Sequence, residues 1–158
     1  MMKSPLSQRP FKYALFVLIA FALMAGDALA SDSTSGKITA LYFFKPGCPY
    51  CRMLDSGPLK DPAVIKELST LEWVRVKTTG GTPIDHLGAK VSQRELAVRH
   101  GVNLTPTVAF VTPDGKIIAT IRGFFETPDF LEMVKYVTEG HYKKETFEAY
   151  IARKARGE

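Results

Sequence analysis

The chain holds two cysteines in 158 residues, and they stand three apart, in Cys48-Pro49-Tyr50-Cys51. Thiols at that spacing in the first turn of a helix come close enough for a disulfide without distorting the fold. The unpaired N–H groups and partial positive charge of a helix N-terminus stabilise a thiolate at Cys48. Cys51 lies one turn further in, shielded from solvent and placed to resolve a mixed disulfide intramolecularly. The chemistry this spacing specifies is thiol–disulfide exchange. A purely stabilising disulfide is a poor alternative, because so short a loop restrains the unfolded chain little. A metal site is the more interesting rival, since two thiolates with a histidine suit Cu(I) or Zn(II). His86, His100 and His141 lack ligand spacing with the cysteines, and His100 reads as a helix terminator, where a basic side chain is favourable. Two cysteines are too few for a four-thiolate zinc site. Arg52 follows the second cysteine where covalent haem needs histidine. No metal ligand and no cofactor is assigned.

The elements that must position this pair are legible on either side of it. The block Ala40-Leu41-Tyr42-Phe43-Phe44 is too short for a helix and reads as a strand buried on both faces, stopped by Pro46-Gly47. Pro49 then opens a helix, where its missing N–H is harmless. Gly57-Pro58 breaks that helix, and Asp61-Pro62 restarts one through Leu68. Residues 71–77 (LEWVRVK) alternate as a half-buried strand does. Residues 78–90, with three glycines and a proline, read as a loop. Ser92-Gln93-Arg94-Glu95 has capping-box spacing, so a helix is expected to Arg99, with Gly101 ending it. Strands at 107–112 and 116–122 flank the hairpin signal Pro113-Asp114-Gly115. Thr127-Pro128 is read as capping a helix with Phe130, Leu131, Val134 and Val137 at helical spacing, closed by Gly140. A last amphipathic helix is expected over 143–156, with Phe147, Tyr150 and Ile151 on one side. Phe124, Phe125, Tyr136, Phe147 and Tyr150 are assigned to core packing. A strand–helix–strand unit followed by a hairpin gives an α/β fold with a mixed central β-sheet, helices on both faces and an extra C-terminal helix. The loop at 78–90 should leave the same carboxyl edge as Cys48, which would place Ile84, Asp85, His86 and Leu87 at the border of a substrate groove.

Two segments carry a family resemblance. Phe43 to Cys51 (FFKPGCPYC) resembles the active-site segment of the thioredoxin superfamily, and Gly101 to Thr107 (GVNLTPT) resembles its Thr-Pro signature. Gly123 matches a family glycine after the hairpin. The resemblance spans roughly 38–137, and with the N-terminal signal and the C-terminal extension it looks most like exported thioredoxins of the sulfur-oxidation-associated type. It implies a thioredoxin fold, a nucleophile at Cys48, a resolving thiol at Cys51, and a cis-proline at Pro106 facing them. It further implies substrate contacts from Thr105 and Pro106, with the Thr105 backbone pairing an extended substrate segment; Pro49 and Tyr50, beside Cys48 where the first helical turn should be partly exposed, are also read as substrate contacts. Gly47 stands where thioredoxin has tryptophan, Pro-Tyr replaces Gly-Pro between the cysteines, and Tyr42 replaces a buried aspartate. Lys45 and Lys77 are the nearest alternative proton acceptors for Cys51, although both read as solvated surface lysines.

The remainder of the sequence bounds where this chemistry operates. Lys3, Arg9 and Lys12 precede the uncharged apolar run 13–25, and Ala28 and Ala30 supply small-x-small cleavage spacing, so residues 1–30 are read as a signal peptide. The run is shorter than the roughly 20 residues of a membrane span, which disfavours an uncleaved anchor. Residues 31–36 are a small polar tail, and 37–158 the folded domain. The whole chain carries +5 (21 Lys and Arg against 16 Asp and Glu); without 1–30 it keeps 18 against 15, a net +3. No basic stripe with interleaved aromatics supports nucleic-acid binding. The expectation is an exported, periplasmic, monomeric thiol–disulfide oxidoreductase, with protein disulfides or thiols as substrates and a membrane-bound electron donor. No stable membrane insertion is expected after cleavage. The alternatives are a disulfide oxidase or isomerase, a glutaredoxin-like enzyme, or a non-enzymatic Cu/Zn-binding protein.

Overall fold

The computed structural model describes residues 36–157. The signal peptide expected over 1–30 and tail residues 31–35 lie outside the described residues. Gly36, the last residue of the expected tail, sits so close to Pro113 that a Cβ there would meet the proline Cβ at 2.8 Å.

Strand β1 (Thr39–Phe44) is central, and Ala40 to Phe43 have no exposed surface. It pairs in parallel with β2 (Glu72–Lys77) on one side. On the other it pairs antiparallel with the strand Thr107–Val111, which in turn pairs antiparallel with Ile117–Arg122. Because successive side chains of a strand face opposite ways, β1 feeds two cores. Ala40 and Tyr42 pack with Leu54, Val64, Leu68, Val108, Phe110, Phe130, Val134 and Tyr150. Leu41 and Phe43 pack with Val76, Val91, Leu96, Ala97, Ala109 and Val111 on the opposite face.

Helix α1 (Pro49–Ser56) ends at Gly57, and a 3-10 turn, Pro58–Lys60, leads to α2 (Pro62–Leu68). The Asp61 carboxylate caps α2 by accepting from the N–H groups of Ala63 at 2.8 Å and Val64 at 3.2 Å. Such a cap contributes about 1 kcal/mol. Helix α3 (Gln93–Arg99) is capped by the Ser92 hydroxyl, which accepts from the Glu95 N–H at 3.2 Å. The Glu95 carboxylate turns instead to Arg99, at 2.6 Å, so only half of the expected capping box forms. Helix α4 (Thr127–Thr138) begins with Thr127 inside it, and Glu126 rather than Thr127 occupies the cap position. The last helix, α5 (Phe147–Ala155), is shorter than the expected 143–156. A 3-10 turn fills His141–Lys143, and the Thr146 hydroxyl then caps α5 through the Ala149 N–H. Phe147 and Tyr150 join the core as expected, whereas Ile151 is exposed. Among the described residues no helix is long and apolar enough to cross a membrane.

The segment read as a loop is a hairpin. Strands β3 (Pro83–His86) and β4 (Ala89–Ser92) pair antiparallel as a separate two-stranded sheet, which makes Thr107–Val111 β5 and Ile117–Arg122 β6. Leu87 and Gly88 turn the chain with φ of 51° and 75°, the left-handed pair that a two-residue hairpin turn requires. The hairpin's base is held at the end of β2, where the Gln93 side chain accepts from the Lys77 N–H at 2.7 Å. Its tip runs back along the sheet. Asp85, His86 and Leu87 line a groove with Lys37, Thr39, Glu72 and Pro113, at the amino edge of β1 and β2. Cys48 follows the carboxyl end of β1, so the expectation that Ile84 to Leu87 border the cysteines is overturned.

Where the hairpin meets α3, the His86 and His100 rings lie edge to face at 5.9 Å, and His100 also rests on Phe43. Its Nδ1 is buried with no hydrogen-bond partner among the described residues. Burial lowers the pKa of both rings; Arg99 lowers His86 further while Glu72 opposes it. His100 does end α3, but its ring is kept neutral instead of serving as a helix-terminal cation. A histidine held below its unfolded pKa takes up fewer protons folded than unfolded. Its stabilising contribution is therefore full above about pH 6.5 and lost as pH falls through the folded value. The thermal midpoint should drop between pH 7 and pH 5, and His100→Phe should drop less over the same interval. Equal slopes in a melting series would exclude the histidine pair as the cause.

Candidate active site

The pair of cysteines lies where β1 stops. Lys45-Pro46-Gly47 turns the chain, with Gly47 at φ 78° and the Cys48 N–H bonded back to the Lys45 carbonyl at 3.2 Å. Cys48 is itself the N-cap of α1, and its Sγ accepts from the Cys51 N–H at 3.2 Å. A sulfur thus takes the place of the usual capping oxygen and points the helix's unpaired amide at the thiol. Cys48 is half-buried, whereas Cys51 is 3% exposed. Both are free thiols.

A second segment, 57 residues further along, closes the site. The Cys48 thiol reaches the Thr105 carbonyl at 3.4 Å. The Thr105–Pro106 peptide is cis, and Pro106 is buried, its carbonyl accepting from the Gly123 N–H at 2.8 Å. The Thr107 hydroxyl donates to the Leu104 carbonyl at 2.9 Å, tying the approach to this peptide. Of the residues singled out from sequence, Cys48 touches both Cys51 and Thr105. Pro49 and Tyr50 flank them on the exposed first turn, Tyr50 with 59% of its surface open. Leu104, also exposed, adds an apolar side chain on the Thr105 segment.

The two thiols are electrostatically unequal. Burial alone would raise Cys48, but hydrogen bonds from the side chains of Cys51 and Thr105 and from the backbone at Cys51 and Tyr50 hold it below the ordinary thiol value. Burial, together with the hydrogen bond to Cys48, pushes Cys51 up. Thiolate is the nucleophilic form, so one sulfur is set to attack and the other to wait. Iodoacetamide should modify one thiol per chain, at Cys48, with the pH midpoint of its rate below that of a free cysteine. Equal labelling of both cysteines, or a midpoint at the free-thiol value, would contradict this asymmetry.

Of the groups behind the cysteines only Tyr42 is marked in the sequence, as the residue in place of the family's buried aspartate. Tyr42 is fully buried on β1, and its hydroxyl donates to the Cys51 carbonyl at 3.4 Å. Arg75, opposite Tyr42 on β2, stacks its guanidinium 4.8 Å from the Tyr42 ring centre and 4.7 Å from that of Phe44. It also forks the Asp55 carboxylate, with N–O distances of 2.8 and 3.2 Å. Asp55 could have been found, being four residues after Cys51 on the same helix face. Arg75 could not, because only the register of β2 brings it to Tyr42. Lys45 and Lys77, the sequence candidates for serving Cys51, are exposed. Among the described residues no group of three or more His, Cys, Asp or Glu is arranged to hold a metal.

The four-stranded sheet has the order β2-β1-β5-β6, and the fold as a whole has counterparts among solved structures. A thioredoxin-fold protein from Helicobacter pylori aligns with TM-score 0.65 at 20% identity, over 78% of this chain and 88% of that one. The C-terminal domain of DsbD from Neisseria meningitidis, in its oxidised form, aligns with TM-score 0.52 at 21% identity, over 78% and 93%. A thioredoxin from Thermus thermophilus aligns with TM-score 0.51 at 24% identity, over 81% and 83%. At these identities the likeness is one of fold. No curated protein sequence matches the chain. The family model of the thioredoxin-like domain matches residues 26–138, a stretch that holds both cysteines, the Thr105–Pro106 peptide and the whole four-stranded sheet. The chain belongs to the thioredoxin-like family.

Proposed function

We propose that the protein is an exported thiol–disulfide oxidoreductase that reduces disulfides of periplasmic proteins, with Cys48 as nucleophile and Cys51 as resolving thiol. The observation that carries this reading is the inequality of the pair: a half-buried sulfur at a helix N-terminus, stabilised as thiolate, beside a buried one held as thiol. The Cys48 thiolate attacks one sulfur of a substrate disulfide, and the other sulfur leaves as thiolate and takes a proton from water. Cys51, after losing its proton, attacks Cys48 Sγ, which closes the Cys48–Cys51 disulfide and releases the second substrate thiol. Two electrons pass from the pair to the substrate.

The Thr105 carbonyl, 3.4 Å from Cys48 Sγ, is placed to accept from the backbone N–H of an extended substrate once the thiol proton has gone. Tyr50 and Leu104 offer apolar surface to residues flanking the substrate cysteine, with Pro49 and Pro106 completing the approach. The basic segment, apolar run and Ala-x-Ala spacing within 1–30 support export, and a membrane-bound donor would return the electrons. The Neisseria domain has been solved oxidised as well as reduced, which favours a cycling pair over an inert one. The protein is taken to act as a monomer.

The reduction potential of the pair in the purified protein, equilibrated in glutathione or dithiothreitol buffers, tests the proposal. A value near about −270 mV is expected of a reductant, and a value of about −120 to −180 mV would reassign the protein to oxidation or isomerisation. A pair that does not cycle, with stoichiometric uptake of Cu(I) or Zn(II), would overturn the enzymatic reading altogether.

A further inference from the structure

We infer that the Arg75–Asp55 ion pair is a positioning device for the resolving thiol, in which the cation favours the Cys51 thiolate and its carboxylate partner restrains that effect. The inference rests on the oxidoreductase reading above and extends it to the resolving step.

The arrangement is a relay of contacts leading away from Cys51. Tyr42 donates its hydroxyl to the Cys51 carbonyl, and Arg75 lies over the Tyr42 ring and grips Asp55. Tyr42 cannot serve as the base for Cys51: burial first, then the charges of Asp55 and Cys51, push its hydroxyl well above the ordinary phenol range. The phenol stays a donor. Behind Tyr42 stand the two charges of the ion pair. One comes from α1, a helical turn beyond Cys51, and the other from the edge strand β2. The Arg75 charge is felt at Cys51, and Asp55, 2.8 Å from Arg75, opposes it. Each alone would act on Cys51 with its own sign; both charged side chains are partly exposed, which screens the effect, whereas Cys51 and Tyr42 are buried.

In the resolving step the Cys51 thiol gives its proton to water. Its sulfur then attacks Cys48 Sγ of the mixed disulfide and displaces the substrate as a thiolate, which takes a proton from solvent. Whatever favours the Cys51 thiolate advances this step to lower pH. Asp55→Asn leaves the Arg75 cation unopposed, and Arg75→Gln leaves the Asp55 anion unopposed. The two substitutions break the same bond and yet should move the resolving thiol in opposite directions.

The experiment loads the protein at Cys48 with 5-thio-2-nitrobenzoate and follows release of the coloured thiolate across pH. Relative to the parent protein, Asp55→Asn should lower the pH midpoint of release by about 0.5 to 1 unit, and Arg75→Gln should raise it by a similar amount. The double variant should return near the parent value, and Arg75→Lys, which keeps the charge, should stay within about 0.3 unit of it. Thermal midpoints of the two single variants should both fall or both stay level, since each loses the same ion pair. Midpoints of release that shift the same way in both, or in neither, would overturn the inference while leaving the oxidoreductase intact. Failure of the parent protein to release the label at all would overturn the oxidoreductase reading, and the inference with it.

Discussion

Cys51→Ser should turn the protein into a trap: incubated with a disulfide-containing protein, it should accumulate as a covalent adduct through Cys48, with turnover reduced to background. Serine keeps the backbone N–H that caps onto Cys48 Sγ at 3.2 Å, so α1 should still form and the nucleophile should still be presented. What serine lacks is a sulfur able to displace the substrate. Cys48→Ser should lose turnover as completely but form no adduct, because the remaining thiol is 3% exposed and its pKa is raised by burial. Non-reducing electrophoresis separates the outcomes, with an added reductant as control. Adducts in the Cys48→Ser variant and none in Cys51→Ser would reverse the assignment of the two sulfurs.

Tyr150→Ala should destabilise the fold by about 3–5 kcal/mol. Tyr150 is 1% exposed although it belongs to the last helix. Its ring lies 4.6 Å from that of His141, 5.6 Å from Tyr136 and 6.1 Å from Phe147. Its hydroxyl donates to Glu132 on α4 at 2.9 Å. Tyr150→Phe separates the two contributions. The ring packing survives and Glu132 keeps Lys154 as a partner, so the loss should be about 1 kcal/mol. Urea unfolding of the three proteins gives both differences. A Phe variant as unstable as the Ala variant would place the stabilisation in the hydrogen bond instead of the ring. Neither change touches the groups around Cys48, whose labelling should keep its pH midpoint.

The parts of this molecule legible in its sequence are those specified by neighbours along the chain. Asp61-Pro62, Ser92 and the Cys48-Pro49 step each announce a helix start, because a cap needs only a side chain two or three residues before the amides it serves. The continuous apolar block of β1 announces burial on both faces. The β3–β4 hairpin was not legible for a related reason. Each strand has four residues, and each contributes a single aliphatic side chain to the core, Ile84 and Val91. Its turn places Leu87, a poor residue for positive φ, where asparagine would have signalled a hairpin. The start of α5 is hidden in the sequence because Gly140 is followed by a 3-10 turn, and the effective cap, Thr146, lies further on. In the site, the cysteines and the Thr-Pro step could be named in advance. Arg75 could not, because its place beside Tyr42 follows from strand pairing across a gap of 33 positions.

The sulfur that caps α1 is the same atom that the reaction consumes. While Cys48 is a thiolate, the first turn of the helix has a charged acceptor for its amides; once that sulfur enters a disulfide the charge is gone and the acceptor is poor. An N-cap contributes about 1 kcal/mol to its helix. In a Cys48–Cys51 disulfide a covalent link across the same turn takes the place of that cap. The turn carrying Tyr50 is therefore closed by a cap in the dithiol and by a bond in the disulfide.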